Sequence, residues 1–532
     1  MVTLQGTRLA IPDLRSGMSF LGRLPLANPS IAHPSLAEFI ESLIESPPPF
    51  HVFVQLLEQC RLPLAQLQAD IAKTFLGRAI PLGESEENVF QQVVRAWNRM
   101  ARAYARCAQL DQGTDAEHAE RVATILQRCL YYSGQAILAH FYVRRQLPHG
   151  LWLDFYGYYD SAEEWGIATN PVYEPLDKQR PSTHCAAELT AVLLTELAGP
   201  YSYPVRDIET IHSWARLWAA SVSVLPISTK ESTPHYSIDL LKDNGIRLTK
   251  LDAPSLGARR LDTSRLGVQL EKVKAQLDER MLPGTLGLGD VLTTHAKKLL
   301  NDLVPSWTQV ASPRRFRRRP VQGIAQLATT FENIYYLIAK HDFVQPSSKS
   351  VYSRKEFELL YAFRHRVDQS HSLYLEQQSR DVPADTWHVL NQSANGFRLE
   401  RRTVGQRIAH KQLLAIRPSD GKDFILAQAH WLMQERDGSL VAGVEILPGI
   451  PEAIAVRQLS NDTALLNTPY NIAFLLPETP SMQAPASLVI PKGCFQSSNM
   501  IEMYAAASWH VRLKEVLQSG EDFERISFTM TG

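Results

Sequence analysis

Two short stretches of this chain carry side chains that could grip an anion or hold backbone open to a ligand. The first, Pro313-Arg314-Arg315-Phe316-Arg317-Arg318-Arg319-Pro320, sets five guanidiniums between two prolines. Arginine is planar and always charged, so its fork of donors fits the oxygens of phosphate or carboxylate. A loop cluster of this kind also occurs as a plainly solvated segment or as the partner of nearby acids. The second stretch, Asn391-Gln392-Ser393-Ala394-Asn395-Gly396, follows a strand-like run, Trp387 to Leu390. Asn and Ser suit turns, and Gly brings backbone angles closed to other residues. On its own that is an ordinary turn. The remaining candidates carry less. Gly284, Gly287 and Gly289 lack a preceding strand, His184-Cys185 opens an apolar helical stretch and reads as core, and Asp252, Asp262 and Glu271 make no metal set. There is no phosphate loop of the Gly-x-x-x-x-Gly-Lys-Ser/Thr type, no His-Glu-x-x-His and no Gly-x-Ser-x-Gly elbow. The chain is therefore expected not to be an enzyme and to need neither metal nor cofactor.

Those two stretches must be positioned by the rest of the 532 residues, a length that implies two to four domains. The composition is globular, with 45% apolar and 21% charged residues. Basic and acidic residues balance at 55 each, which argues against a nucleic-acid coat protein but permits a local basic site. Cys60, Cys107, Cys129, Cys185 and Cys494 stand at no metal or redox spacing and read as buried thiols of a reducing cytoplasm. Met1 to Arg23, interrupted by Pro12 and Asp13, does not read as a signal peptide, and no run of about 18 apolar residues predicts a membrane span.

The expected fold class is a multidomain α plus β protein. Residues 1–33, rich in proline, read as an irregular arm. Residues 34–222 read as a helical domain of stacked hairpins. In it Phe90, Val93, Trp97, Met100 and Tyr104 form one buried stripe, Thr114 and Glu117 form a capping box, and Gly166 caps a helix over Trp152–Trp165. Residues 223–312 read as a mixed bridge, with strands at Tyr236–Leu240 and Ile246–Leu251 around Asp243-Asn244-Gly245 and helices over about 264–281 and 289–304. Residues 313–459 read as a small antiparallel barrel. Its strands are expected at Val321–Thr329, Trp387–Leu390, Gly396–Leu399, Gln406–Ile416, Asp423–Met433 and Leu440–Ile446, with an insertion over about 331–385 that starts with a helix-compatible run, Phe331 to Ala339, packed on its surroundings. Residues 460–532 read as a β-rich extension.

Together the two stretches resemble the paired motifs of a PilZ domain. That family has an Arg-x-x-x-Arg motif leading into its first strand and an Asp/Asn-x-Ser-x-x-Gly motif after its second. Arg314 and Arg318 match the first, with Arg315 and Arg319 as the other register, and Asn391, Ser393 and Gly396 match the second. Ala427 to Trp431 and Ala442-Gly443-Val444-Glu445-Ile446 are similar to its later strands. The resemblance spans 313–459, less than a third of the chain. It departs from the family in having Asn at 391, where Asp is frequent, and in the long gap from Arg319 to Asn391.

The resemblance implies a non-enzymatic bacterial receptor for cyclic di-GMP with Arg314, Arg315, Arg318, Arg319, Asn391, Ser393 and Gly396 as ligand residues. Arginine can fork onto phosphate or onto guanine O6 and N7, and it can stack on the base. Ordering the arm around the ligand would then rearrange the helical region to signal, through a protein partner of that region. Two other readings stand beside this one. In the first, the barrel keeps the fold without the ligand and the protein is an interaction scaffold. In the second, the arginines bind RNA; the balanced charge and the lack of a stacking ring next to the arginines count against it.

Overall fold

The computed structural model describes residues 11, 13–111, 113, 117–177, 180–227, 234–249, 255–308, 319–346, 384–393, 395–459, 468–494, 500–505 and 507–531. The chain divides into two compact units, one of residues 1–78 and 82–313, the other of 79–81 and 314–532. It is a helical region followed by antiparallel β-barrels.

The first unit opens with α1 (Leu14–Leu21), α2 (Pro29–Glu45), α3 (Phe50–Ala72), α4 (Glu84–Leu110), α5 (His118–Tyr142) and α6 (Leu151–Glu164). The stretch expected to be an irregular arm thus contains α1 and the start of α2. Local chemistry explains it: Asp13 accepts from Ser16 N at 2.8 Å as an N-cap, and Pro29 occupies the first turn of α2, where its missing N–H is no loss. The stripe Phe90, Val93, Trp97, Met100 and Tyr104 of α4 is buried, and α5, beside α4, α6 and the next long helix, is buried on nearly every face. Thr114, the expected cap of α5, lies outside the described residues. Gly166 follows α6 with φ +68, the left-handed conformation that ends a helix.

A two-residue ladder, β1 (Val172–Tyr173) with β2 (Ser182–Thr183), precedes α7 (Cys185–Leu197) and α8 (Val205–Trp218). His184 Nδ1 accepts from Ala187 N at 3.1 Å to cap α7, and Cys185 is buried. The bridge segment belongs to this unit. It holds a sheet of β3 (Ser223–Pro226), β4 (His235–Asp239), β5 (Arg247–Thr249) and β6 (Ala258–Asp262) in the order β3-β6-β4-β5, then α9 (Ser264–Asp278) and α10 (Thr293–Trp307). Trp307 Nε1 donates to Leu194 O at 2.8 Å and Trp214 Nε1 to Leu288 O at 2.9 Å, fastening α10 and its approach to α7 and α8.

The Asp243-Asn244-Gly245 turn rests on helices. Tyr156 Oη donates to Asn244 O at 2.9 Å, and Ile246 N donates to Glu196 Oε2 at 2.9 Å. A Cβ on Gly245 would lie 1.8 Å from Glu196 Oε1, so a larger residue there would displace that carboxylate from the turn. Burial lifts the Glu196 carboxyl to about 7, against the opposing pull of the Ile246 N–H and Arg247. Between the usual 4.5 and about 7 the folded protein holds a proton that the unfolded chain has released, so this group's contribution to stability falls as pH rises through that window. Glu196→Gln is expected to gain about 1–3 kcal/mol over the parent at pH 8 and nothing at pH 4, read from denaturant unfolding at both pH values.

The second unit consists of two closed six-stranded barrels. The first has β7 (Arg319–Ala328), β8 (Asp385–Ser393), β9 (Gly396–Arg401), β10 (Leu413–Pro418), β11 (Ile425–Gln434) and β12 (Leu440–Ile446), in the order β10-β11-β12-β9-β8-β7. The second has β13 (Glu452–Gln458), β14 (Asn471–Leu476), β15 (Ser487–Pro491), β16 (Met500–Ala505), β17 (Ala507–Ser519) and β18 (Phe523–Met530), in the order β13-β14-β15-β18-β17-β16. What reads in the sequence as an extension from 460 is therefore a barrel of its own, and it starts at Glu452 because β13 hydrogen-bonds to β14 and β16. Helix α11 (Phe331–Ala339) lies between the barrels, where Ile334 and Tyr335 share one apolar cluster with Leu413, Leu426, Phe474 and Phe523. Polar ties join the barrels too: Leu413 N donates to Asp522 Oδ1 at 2.8 Å and Gln518 Nε2 to Gln428 Oε1 at 2.8 Å. The rest of the expected insertion, from residue 347 to 383, lies outside the described residues.

Candidate functional site

The Asn-x-Ser-x-x-Gly stretch spans the end of β8 and the start of β9, with Ser393 paired to Gly396. Ser393 Oγ donates to Asn395 Oδ1 at 3.0 Å, Gly396 O lies 3.3 Å from the same hydroxyl, and Ile446 N donates to Asn395 O at 2.9 Å. A Cβ on Gly396 would come 2.2 Å from Val444 O, so β9 and β12 can approach this closely only at a glycine.

Strict alternation along β8 would point Val389 and Asn391 to the same side, the barrel core. The ladder instead shifts register between Val389 and Asn391, leaving Leu390 as an extra residue and turning Asn391 outward. A second shift, between Ala429 and Trp431 on β11, does the same for Trp431: Ala427, Ala429 and Leu432 face the core, and the indole does not. A third irregularity lies between Pro320 and Gly323 on β7. Bulges at one end of a barrel re-aim side chains, and here they compose a face.

Directly opposed residues of antiparallel strands share a face. Asn391 opposes Arg398, Arg398 opposes Gly443, and Gly443 opposes Trp431, a single row across four strands. Ser393, Gly396 and Glu445 form the neighbouring row. Gly443 makes the first row possible, since a Cβ there would lie 1.9 Å from Trp431 Nε1. The bare backbone lets the indole lie across β12 towards β9, where the Arg398 guanidinium is 5.8 Å from its ring centre. Arg398 Nε is buried and has no hydrogen-bond partner among the described residues. Ser393, Asn395, Gly396, Phe397, His430, Trp431, Gly443, Val444 and Glu445 line a cavity of about 210 Å³ on this face.

Of the arginine arm, only Arg319 is described. It is exposed, opens β7 and pairs with Gln392, between Asn391 and Ser393 in sequence. Arg314, Arg315 and Arg318 lie outside the described residues. Sequence reasoning missed Trp431, Arg398, Gly443 and Glu445 as site residues. A glycine inside the strand Leu440–Ile446 was the available signal, because glycine in a strand marks a close approach.

Among the described residues of this barrel, Arg401 is buried and engaged by its neighbours. Arg401 lies 5.0 Å from the Trp387 ring centre, is ion-paired with Asp385, and donates to Gln406 O at 2.8 Å. Burial lowers its pKa, and Asp385 opposes that effect. Among the described residues no group of three or more His, Cys, Asp or Glu could hold a metal ion. No described helix is long and apolar enough to cross a membrane.

Comparison with known proteins gives two family matches. Residues 15–229 match the family described as the N-terminal domain of cyclic-di-GMP receptor FimW, and residues 454–531 match the FimW C-terminal beta-barrel domain. The second match begins two residues into β13. The two matched stretches leave the first barrel and its outer face between them. A protein of Pseudomonas aeruginosa named cyclic-di-GMP receptor FimW is 21% identical over 524 aligned residues, which take in 91% of this chain and 85% of that protein.

Proposed function

We propose that this chain is a receptor for cyclic di-GMP and that the dinucleotide binds on the outer face of the first barrel. The observation that carries this reading is the convergence of Asn391, Ser393, Gly396, Arg398 and Trp431 at the barrel end where Arg319 enters β7. The similarity to a protein named as a cyclic-di-GMP receptor supports the same ligand. The barrel is read as a PilZ domain, with Arg314 and Arg318, or Arg315 and Arg319, closing over the phosphates and bases. Asn391 offers an amide oxygen and donors, Trp431 a ring for stacking, and Gly396 open backbone. The 314–319 arm connects the two units in sequence, so ordering it around a ligand would alter how the helical unit is held and presented to a protein partner. The protein would work in a bacterial cytoplasm, bind without catalysis and use no cofactor.

One observation favours the scaffold reading: the Ser393 hydroxyl is already engaged within its own turn. Calorimetric titration of the intact protein with cyclic di-GMP separates the readings. The receptor gives saturable heat at a stoichiometry set by the single face. A flat titration favours the scaffold. Salt-sensitive binding to single-stranded RNA that cyclic di-GMP does not displace favours the RNA reading.

A further inference from the structure

The cavity on the outer face is small. About 210 Å³ is less than pockets for whole drug-sized ligands occupy, which start at roughly 300 Å³, and it suits one flat ring system with the rest of the ligand outside. Its lining is that of a base-recognition slot. Trp431 supplies an aromatic face, and Gly396 and Gly443 remove the side chains that would otherwise cover it. A carboxylate, Glu445, stands on the same face directly opposite Gly396 and two residues along β12 from Gly443. Its side chain is 45% exposed, and His430 Nδ1 lies 3.9 Å from its Oε2. Its oxygens are thus accessible from the cavity. An ionised carboxylate only accepts hydrogen bonds. The base edge that matches it presents two adjacent N–H donors. Guanine does so through N1–H and its exocyclic amine, whereas adenine offers an acceptor at N1.

We infer that Glu445 reads the Watson–Crick edge of a guanine stacked on Trp431, and that this contact selects guanine over adenine dinucleotides. The inference rests on the receptor reading above and adds the residue that sets base specificity. Stacking is indifferent to base identity, because every base has a π-face, so Trp431 contributes affinity and Glu445 contributes choice. A site built to pair with a donor rejects the analogue lacking it, since an acceptor covered by the bound base is then left without a partner. Glu445 has a second role that any test must respect. Arg525 of the second barrel is buried, donates through Nε to Ser487 Oγ at 2.8 Å and has Nη2 without a partner among the described residues. Burial lowers the pKa of that guanidinium, and the charge of Glu445 opposes the shift. Substitution at 445 therefore also reaches the second barrel.

The test uses ligands as well as variants. The intact protein is titrated with cyclic di-GMP, with cyclic di-IMP, which lacks the exocyclic amine, and with cyclic di-AMP. Binding is expected to weaken at least tenfold from the first to the second, and further for the third. Glu445→Ala, with its melting curve taken alongside, is expected to bring the first two ligands to within about twofold of each other. Glu445→Gln, which keeps the shape if the alanine variant does not fold, narrows the gap partially. Trp431→Ala weakens all three ligands alike. Equal affinity of the parent for cyclic di-GMP and cyclic di-IMP, or an unchanged ratio in a folded Glu445 variant, overturns the inference and leaves the receptor reading standing. No binding of any of the three by the parent overturns the receptor reading itself, and this inference with it.

Discussion

Glu174→Ala is expected to destabilise the helical unit by about 3–5 kcal/mol, more than any other single substitution considered for it. Glu174 is fully buried and makes up the centre of a charge cluster drawn from distant parts of the chain. Arg61 Nη2 donates to both its oxygens, at 2.8 and 2.7 Å, and Arg128 Nη1 donates at 3.1 Å. Leu176 N adds a bond at 3.0 Å. Arg128 also reaches Glu58 Oε1 at 3.0 Å and Tyr173 O at 2.8 Å, and Arg61 Nε donates to Tyr132 Oη at 3.1 Å. Removing the carboxylate leaves two buried guanidiniums with Glu58 as the one acid still paired to them among the described residues, which is costlier than losing one bond. The strands β1 and β2 that flank Glu174 would come free of α3 and α5. Helical circular dichroism on heating should show the main transition moving down by about 10 °C, given the usual conversion for units of this size. Glu58→Ala, at the more exposed rim, should move it less. Equal, small shifts for both would mean that the cluster contributes nothing by being buried.

Arg314→Ala with Arg318→Ala is expected to weaken cyclic di-GMP binding by a factor of about a hundred or more. Each arginine lost removes a charge-assisted contact of about 1.5–3 kcal/mol, and two such losses multiply. The pair Arg315→Ala with Arg319→Ala tests the other register. Arg319 opposes Gln392, which opposes Phe397, so it stands in the row that alternates with those of Asn391 and Ser393; this second pair should weaken binding less, since one of its residues is held in a strand. Because Arg314, Arg315 and Arg318 precede β7 and Arg319 is exposed at its first position, neither pair should alter the melting of the barrels by more than a few tenths of a kcal/mol. Retained affinity in both double variants would show that the arginine arm is not part of the site.

Much of the barrel architecture was legible. The strand Leu440–Ile446 has the expected bounds, because it is an apolar run between turn residues. α11 too follows from its apolar sequence. β3 and β6 escaped: Ser223–Pro226 ends in proline, and Ala258–Asp262 carries two arginines and an aspartate, so both look unlike strands. β13 escaped for another reason. Its partner β16 lies more than 40 residues downstream, and nothing local in Glu452–Gln458 announces the pairing. The candidate site was half legible. Motif spacing indicates Asn391, Ser393 and Gly396, but the face they share depends on register shifts at Leu390 and His430, and period-two reasoning cannot foresee a bulge. The Glu174 cluster left no sequence signal, since Arg61 and Glu174 are 113 positions apart.

Amide hydrogen exchange of the intact protein, with and without saturating cyclic di-GMP, tests most directly whether the dinucleotide occupies this face. The account predicts slowed exchange in peptides covering 391–398, 430–431 and 443–445 and in the 314–319 arm, with the second barrel's β14 and β15 unchanged. Protection confined to the helical unit or to the second barrel, with 391–398 and 430–431 exchanging as in the free protein, would contradict it.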